Sequence, residues 1–275
     1  MIIEILKLSI VFTIGITIIL IAFGLIIGQV EKKSNELIYG TFGRYGIIFT
    51  GIIGTTVHEF SHYIMCKLFF HKVTEVKWFS IKLDGSGELG HVRHTFNPKN
   101  IYQRIGNFFI GVAPIFVGTL MIIIILRLLL PSTYLQIVKS ININEISLYI
   151  SSLNFIEFFK ELSHELFTIL KYLFSIENLV SFKFWIFIII SLSISNHMSL
   201  SRADVKNSLD GIGFIFLLSI LISAICILFG ISFNNVLVEV ITFNSLLIAF
   251  LSVGLLFSIV ALILSKLICF KSYLS

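Results

Sequence analysis

One short segment has the residue types and spacing of a hydrolytic metal site: His58-Glu59-Phe60-Ser61-His62, the pattern H-E-x-x-H. On a helix, positions i and i+4 lie on one face, so His58 and His62 can bind the same metal ion. Glu59 points off that axis but stays close enough to accept a proton from a metal-bound water. Zinc with two histidines, a carboxylate and a water is the usual hydrolytic arrangement. The segment therefore predicts zinc bound by His58 and His62, with Glu59 as general base.

The alternative interpretation is a chance match, in which the three side chains form a structural polar cluster. The segment lies inside an apolar run. Histidine and glutamate side chains in a membrane span are costly unless they have partners, so they indicate function by default. This location favours the metal site over the chance match.

Zinc needs a third protein ligand, and the sequence offers Asp204, Asp210 and His197 at the end of the fourth apolar run. Each has a simpler interpretation. Asp204 is a helix-end charge beside basic neighbours, Asp210 is a turn residue before the next helix, and His197 is a core polar group or a group that supports a ligand. Their depth in the membrane suits the site, and Asp204 is preferred while the other two remain open.

The elements that must position these residues are membrane helices. The chain is 57% apolar and 13% charged, with a mean hydropathy of +1.01. Soluble domains are about 45–50% apolar and about 25% charged, so an ordinary soluble enzyme, a disordered chain and a coiled coil are excluded. The net charge of +5 is attributed to basic cytoplasmic loops, and no nucleic-acid partner is expected. Cys66, Cys226 and Cys269 have no CxxC partner and are predicted to be free buried thiols.

Apolar runs of about 20 residues predict an all-α membrane protein with about six transmembrane helices in a single domain, 1–275. The basic residues concentrated in 67–104 should be cytoplasmic, which places both termini in the cytoplasm of a multi-pass cell-membrane protein. The first run is long for a signal peptide, so an uncleaved span is preferred. The predicted spans are 8–30, 45–70, 105–126, 184–200, 211–232 and 241–265.

Two loops have predicted structure of their own. Alternating residues around a Gly-rich turn predict a short cytoplasmic β-hairpin at 73–94. His91 and His94 lie three apart on its second strand, so they should face opposite sides and not form a metal pair. The loop 132–183 has apolar residues at helical spacing, which predicts one or two amphipathic helices on the outer membrane surface.

These features together resemble a known family. The H-E-x-x-H motif in a span, the hairpin after it and the Gly-Val-Ala-Pro-Ile stretch at 111–115 resemble the site-2 protease type of intramembrane zinc metalloprotease. The segment 196–204, with Ser201 followed by Asp204, looks more like the later motif of the membrane zincin peptidases related to that family. The resemblance implies zinc ligands at His58, His62 and Asp204. This chain departs from the larger members, because it has no PDZ-like insert and because Leu209-Asp210-Gly211 competes for the third ligand.

The expected function is that of a zinc-dependent intramembrane endopeptidase. It would hydrolyse a peptide bond of a membrane-embedded or membrane-anchored protein or peptide near the cytoplasmic side. Two other classes are a metal-binding transporter and a non-catalytic membrane scaffold. Charged residues are nearly absent from the other predicted spans, which argues against an ion path, and the intact Glu59 argues against a catalytically dead relative.

Overall fold

The computed structural model of the chain describes residues 2–81, 89–141, 155–231 and 233–272. Within these residues the fold consists of eight helices and one pair of strands. Four helices are long and apolar enough to cross a membrane, and they lie at Ile2–Leu68, Ile101–Leu129, Arg202–Leu228 and Asn235–Cys269. The helix Phe182–Ser195 is apolar but shorter. An all-α membrane protein with a small hairpin is therefore confirmed, whereas the count of six spans stays a prediction. The elements are α1 (Ile2–Leu68), β1 (Lys72–Lys77), β2 (His91–Thr95), α2 (Ile101–Leu129), α3 (Pro131–Ser140), α4 (Phe155–Leu173), α5 (Ile176–Leu179), α6 (Phe182–Ser195), α7 (Arg202–Leu228) and α8 (Phe233–Ser272).

Helix α1 contains both of the first two predicted spans, and a sharp break at Gly43 separates them. Gly43 has φ 59° and ψ −150°, a backbone conformation that is essentially restricted to glycine. The two arms of α1 fold back on each other: Leu20 and Met65, one from each arm, line one cavity, and Glu31 and His58 line another. The chain before the break therefore reaches the H-E-x-x-H motif after it.

The end of α6 and the start of α7 differ from the bounds of the predicted fourth and fifth spans. Helix α6 ends at Ser195, and α7 begins at Arg202, nine residues before the predicted fifth span. A capping box starts α7: the Ser201 hydroxyl accepts the Asp204 N–H, and the Asp204 carboxylate accepts the Ser201 N–H. The hydropathy pattern missed this first part of the helix because it is charged.

The predicted hairpin is present. Strands β1 and β2 pair antiparallel, with Val76 opposite Val92 and an irregularity between Val73 and Glu75. The Ser80 N–H donates to the Leu89 carbonyl and extends the pairing toward the turn. The Gly-rich turn itself lies outside the described residues.

The predicted outer loop contains helices α3, α4 and α5. Helix α4 buries Phe158, Ile169 and Leu173, while Ser163 and His164 on its other side are exposed. This is the amphipathic pattern that the sequence predicted. Residues 142–154 of the loop lie outside the described residues.

Helix α2 lies at the centre of the fold and packs closely against α7. A Cβ added at Gly111 would lie 2.2 Å from the Ser208 Oγ and 2.3 Å from the Asp204 carbonyl oxygen. A side chain at this position would push the two helices apart. Small residues allow such close contact between membrane helices. The contact at Gly111 therefore sets how near the first turn of α7 comes to the H-E-x-x-H motif on α1.

Candidate metal centre

The structure brings His58, His62 and Asp204 together from two elements. The first two lie one turn apart on α1, and Asp204 lies in the first turn of α7. The two Nε2 atoms are 3.1 Å apart, and Asp204 Oδ1 is 3.3 Å from His62 Nε2. Asp204 Oδ2 is 3.9 Å from His58 Nε2. Ligands about 2.0–2.1 Å from a tetrahedral zinc are about 3.3 Å apart, so the three donors have suitable spacing.

Both imidazoles are oriented by backbone carbonyls. The His58 Nδ1–H donates to the His197 carbonyl at 2.8 Å, and the His62 Nδ1–H donates to the Ile110 carbonyl at 2.9 Å. A carbonyl can only accept, so each Nδ1 carries the hydrogen and each Nε2 presents a lone pair. Two such lone pairs at 3.1 Å repel each other unless a cation lies between them. The donor set therefore fits a metal ion.

Pro114 explains why the Ile110 carbonyl is available to His62. In a regular helix this carbonyl would accept the N–H of the residue four positions later. That residue is Pro114, which has no N–H and lies inside α2. The freed Ile110 oxygen accepts the imidazole N–H instead, as a buried carbonyl requires. The Gly-Val-Ala-Pro stretch noted in the sequence thus orients a candidate ligand.

The capping box that starts α7 also orients the Asp204 carboxylate. One oxygen, Oδ2, accepts the Ser201 N–H at 2.8 Å, and the other faces His62. The side chain is buried, with 6% exposure. Ser201 and Asp204, which the sequence singled out for their spacing, are therefore joined by a local hydrogen-bond motif that presents the carboxylate to the histidines.

The other two candidates for the third ligand are engaged elsewhere. Asp210 accepts the Arg104 guanidinium at 2.7 Å and the Asn107 amide at 2.6 Å. Its interpretation as a turn residue is wrong, because it lies inside α7. The ring of His197 contacts the hydroxyls of Thr50 and Thr55, at 3.1 and 3.5 Å. Among the three, only Asp204 joins the histidine pair in the described structure.

The buried Glu59 side chain borders the same cavity as the three candidate ligands. This cavity has a volume of about 470 Å³. The strand β2 forms part of its wall, and Gly90 just before that strand lies against Glu59. A Cβ at Gly90 would lie 2.9 Å from the Glu59 Cγ. Glu59 thus lies in one cavity with the two histidines and with strand β2.

Sequence reasoning missed Glu31, which lines the same cavity from the first arm of α1. Its Oε2 accepts the Ser199 N–H at 2.8 Å, and nearby Asn35 donates to the Asn196 carbonyl at 3.3 Å. These bonds hold the non-helical segment between α6 and α7 that leads to Asp204. The available signal was a carboxylate directly after an apolar run, but the adjacent lysines made it look like an ordinary membrane-boundary charge.

The two hairpin histidines line the same cavity but contact different side chains. His91 Nε2 lies 3.1 Å from Glu75, which also pairs with Arg93 at 3.0 Å. The His91 hydrogen bond and the Arg93 charge lower the pKa of the Glu75 carboxyl. His94 contacts His71 instead.

Comparison of the chain with protein-family models, with curated proteins and with solved structures found no match. The resemblance to site-2 proteases therefore depends on the motif residues of this chain alone. Family membership and the role of each residue are proposals, developed below from the geometry.

Proposed function

We propose that this protein is a zinc-dependent endopeptidase of the membrane, of the site-2 protease type and closest to the membrane zincin peptidases related to that family. The observation that carries the proposal is the convergence of His58, His62 and Asp204 beside Glu59 in one cavity. His58, His62 and Asp204 would hold the metal and leave a position open, which is typical of catalytic rather than structural zinc.

The chain's own residues supply orientation and proton transfer. When bound, zinc acts as a Lewis acid that lowers the pKa of a coordinated water to about 7 and polarises a carbonyl group. The backbone carbonyls of His197 and Ile110 fix both imidazoles so that their Nε2 atoms point at one position. The Glu59 carboxylate accepts the proton of the attacking water and returns it to the leaving amine. Its position in the cavity wall suits this role.

The substrate we propose is a membrane-embedded or membrane-anchored protein or peptide. A transmembrane helix hides its peptide bonds in its own hydrogen bonds, so it must unwind locally before cleavage. Strand β2 pairs with β1 on one side only among the described residues, and Gly90–Val92 border the cavity. An unwound segment can add to such a strand by backbone hydrogen bonds, which would bring it beside Glu59. Cleavage is then expected near helix ends or at Gly, Pro or Asn.

The first prediction tests Glu59. In proteoliposomes that contain transmembrane model peptides with central Gly, Pro or Asn residues, the wild type is expected to cleave them. Glu59→Gln is expected to lower the rate by roughly 10²–10⁴-fold, because that is what a positioned general base contributes. Mass spectrometry of the products measures cleavage, and elemental analysis measures zinc. The variant is expected to keep its zinc, since Glu59 is assigned to proton transfer.

Glu36→Gln is the matched control, because Glu36 is an exposed glutamate on the same helix. It is expected to cleave like the wild type. Retained cleavage by Glu59→Gln contradicts the assignment of Glu59, and lost zinc reassigns it as a ligand. A wild type that binds zinc but cleaves no peptide in the panel favours the scaffold over the protease.

A further inference from the structure

A second group of metal-ligating side chains lies at the end of α1. Cys66, His71 and His94 each offer a ligand atom, and these atoms all lie within 4.8 Å of one another. Cys66 and His71 are buried, with 0% and 3% exposure, and His94 is half-buried. Cys66 lies one helical turn after His62, so this group is next to the candidate catalytic centre but shares no ligand with it.

The orientation of the His71 ring is fixed as in a metal ligand. The His71 Nε2–H donates to the Gln103 carbonyl at 2.8 Å, so Nδ1 presents a lone pair. That lone pair points at His94 Nδ1, only 3.0 Å away. Metal-ligating histidines almost always donate their other ring N–H to a carboxylate, a backbone carbonyl or a water, and the Gln103 carbonyl is such a partner.

The backbone makes an uncommon turn to bring His71 back against Cys66. The His71 N–H donates to the Cys66 carbonyl at 2.8 Å, and the Phe70 N–H donates to the Lys67 carbonyl at 3.2 Å. This is the Schellman pattern that ends a helix, in which glycine usually takes the left-handed position. Here that position is held by Phe70, with φ 56°. A bulky residue in this conformation indicates that the surrounding structure requires the turn.

We propose that Cys66, His71 and His94 bind a second zinc ion, which links the end of α1 to strand β2. Zinc with sulfur at about 2.3 Å and nitrogen at about 2.0–2.1 Å separates these donors by about 3.3–3.6 Å, between the closest and the widest spacing of the group. The Cys66 thiol loses its proton to solvent as the metal binds, because the thiolate is the ligand. Three protein ligands leave the fourth position to water.

Burial keeps the two imidazoles in the neutral form that binds metals. It lowers the pKa of His94 to about 4 and also lowers the pKa of His71.

The consequence of the link is mechanical. His94 belongs to the strand that borders the candidate catalytic cavity, so a metal at this point would hold β2 in place against α1.

Cobalt substitution of the full chain in detergent separates the two sites, because a thiolate bound to Co²⁺ gives a charge-transfer band in the near ultraviolet. The candidate catalytic centre has only nitrogen and oxygen donors and cannot produce it. The wild type loaded with Co²⁺ is expected to show the band, and elemental analysis is expected to find about two zinc ions per chain, one per group. Cys66→Ser is expected to abolish the band and lower the zinc content by about one equivalent.

Cys226→Ser is the matched control, since this thiol packs against a different cluster, around Leu8 and Val236, and the variant is expected to keep the band. Asp204→Ala is expected to keep the band as well, so the result does not depend on the proposed protease activity. His94→Ala changes a half-buried strand residue and provides a second test if Cys66→Ser fails to fold. A wild type without the band, or a band that persists in Cys66→Ser or in folded His94→Ala, overturns the proposal.

Discussion

Three polar side chains that follow α6 are close in the sequence but contact different partners. Asp204 faces the two histidines, Asp210 pairs with Arg104, and the His197 ring contacts threonine hydroxyls. His197 still matters to the centre, but through its backbone carbonyl, which orients His58. Truncation of the His197 side chain leaves that backbone carbonyl in place. Truncation of the Asp204 side chain removes the carboxylate that is the third candidate metal ligand.

The second prediction follows from this difference. Asp204→Ala is expected to weaken zinc binding at this centre by more than the roughly 10–100-fold that loss of a ligand's supporting partner costs. His197→Ala is expected to keep its zinc there. Chelator competition, read at the centre in a Cys66→Ser background, measures the affinity of each variant. Full occupancy in Asp204→Ala with loss in His197→Ala would reassign the third ligand.

Asp210→Ala is a control with an expected defect of a different kind. The substitution leaves the buried Asn107 amide without its carboxylate acceptor. An unsatisfied buried donor costs about 1–3 kcal/mol of stability. The variant should therefore unfold at a lower temperature but bind zinc like the wild type. Loss of zinc from folded Asp210→Ala would make this carboxylate a ligand.

At the scale of elements, one backbone hydrogen bond is missing from α2, and the carbonyl that it leaves free orients a candidate metal ligand. Pro114 removes the donor that would otherwise occupy the Ile110 carbonyl, and His62 takes its place. The inward-facing surface of α2 also approaches α7 closely at Gly111. One short stretch of α2 thus orients a histidine and allows the Asp204 turn to reach it.

The third prediction is that Pro114→Ala weakens zinc binding without destabilising the helix. The substitution restores a backbone N–H at position 114, which would compete for the Ile110 carbonyl, and His62 would lose its orienting partner. The affinity is expected to fall by about 10–100-fold, while the thermal unfolding temperature stays the same or rises. Pro131→Ala is the control, because Pro131 lies at the start of α3, where no such bond is displaced. Unchanged zinc affinity in Pro114→Ala would contradict the role of the freed carbonyl.

At the scale of the whole molecule, the fold sets the level of the candidate site relative to the apolar runs. Glu31 directly follows the first predicted span and lines the same cavity as His58. The cavity therefore lies level with the end of that apolar run. With cytoplasmic termini, as the positive-inside rule predicts, the first apolar run ends at the external side, whereas the hairpin in another wall of the cavity belongs to the basic segment 67–104 that is expected in the cytoplasm. These two expectations place the cavity at opposite sides of the membrane, and a measured topology of the chain decides between them.

The fourth prediction concerns this orientation. A reporter fused after Ser275 is expected to read as cytoplasmic, and one inserted after Gly230, between α7 and α8, is expected to read as external. The physical basis is the basic segment 67–104 together with the absence of Lys and Arg between those two helices. A fusion after Ser275 that reads as external contradicts both the orientation and the six-span count.

The sequence determined the features that depend on local geometry. The spacing of His58 and His62 places both on one helix face wherever the helix lies, and the alternation in 73–94 predicts a hairpin without knowledge of its neighbours. Apolar run length and composition likewise indicated a membrane protein. Each of these follows from residues that are close along the chain.

Only the tertiary structure decided which distant groups meet these local features. The sequence preferred Asp204 but left Asp210 and His197 open, because their order along the chain does not say which way the first turn of α7 faces. Packing of α7 on α2 at Gly111 settles that direction. The same holds for Glu31, which reaches the cavity through the Gly43 break, and for Cys66, which the sequence left as a plain buried thiol. In each case, the deciding contact joins residues far apart in the chain, and it forms only when the helices pack.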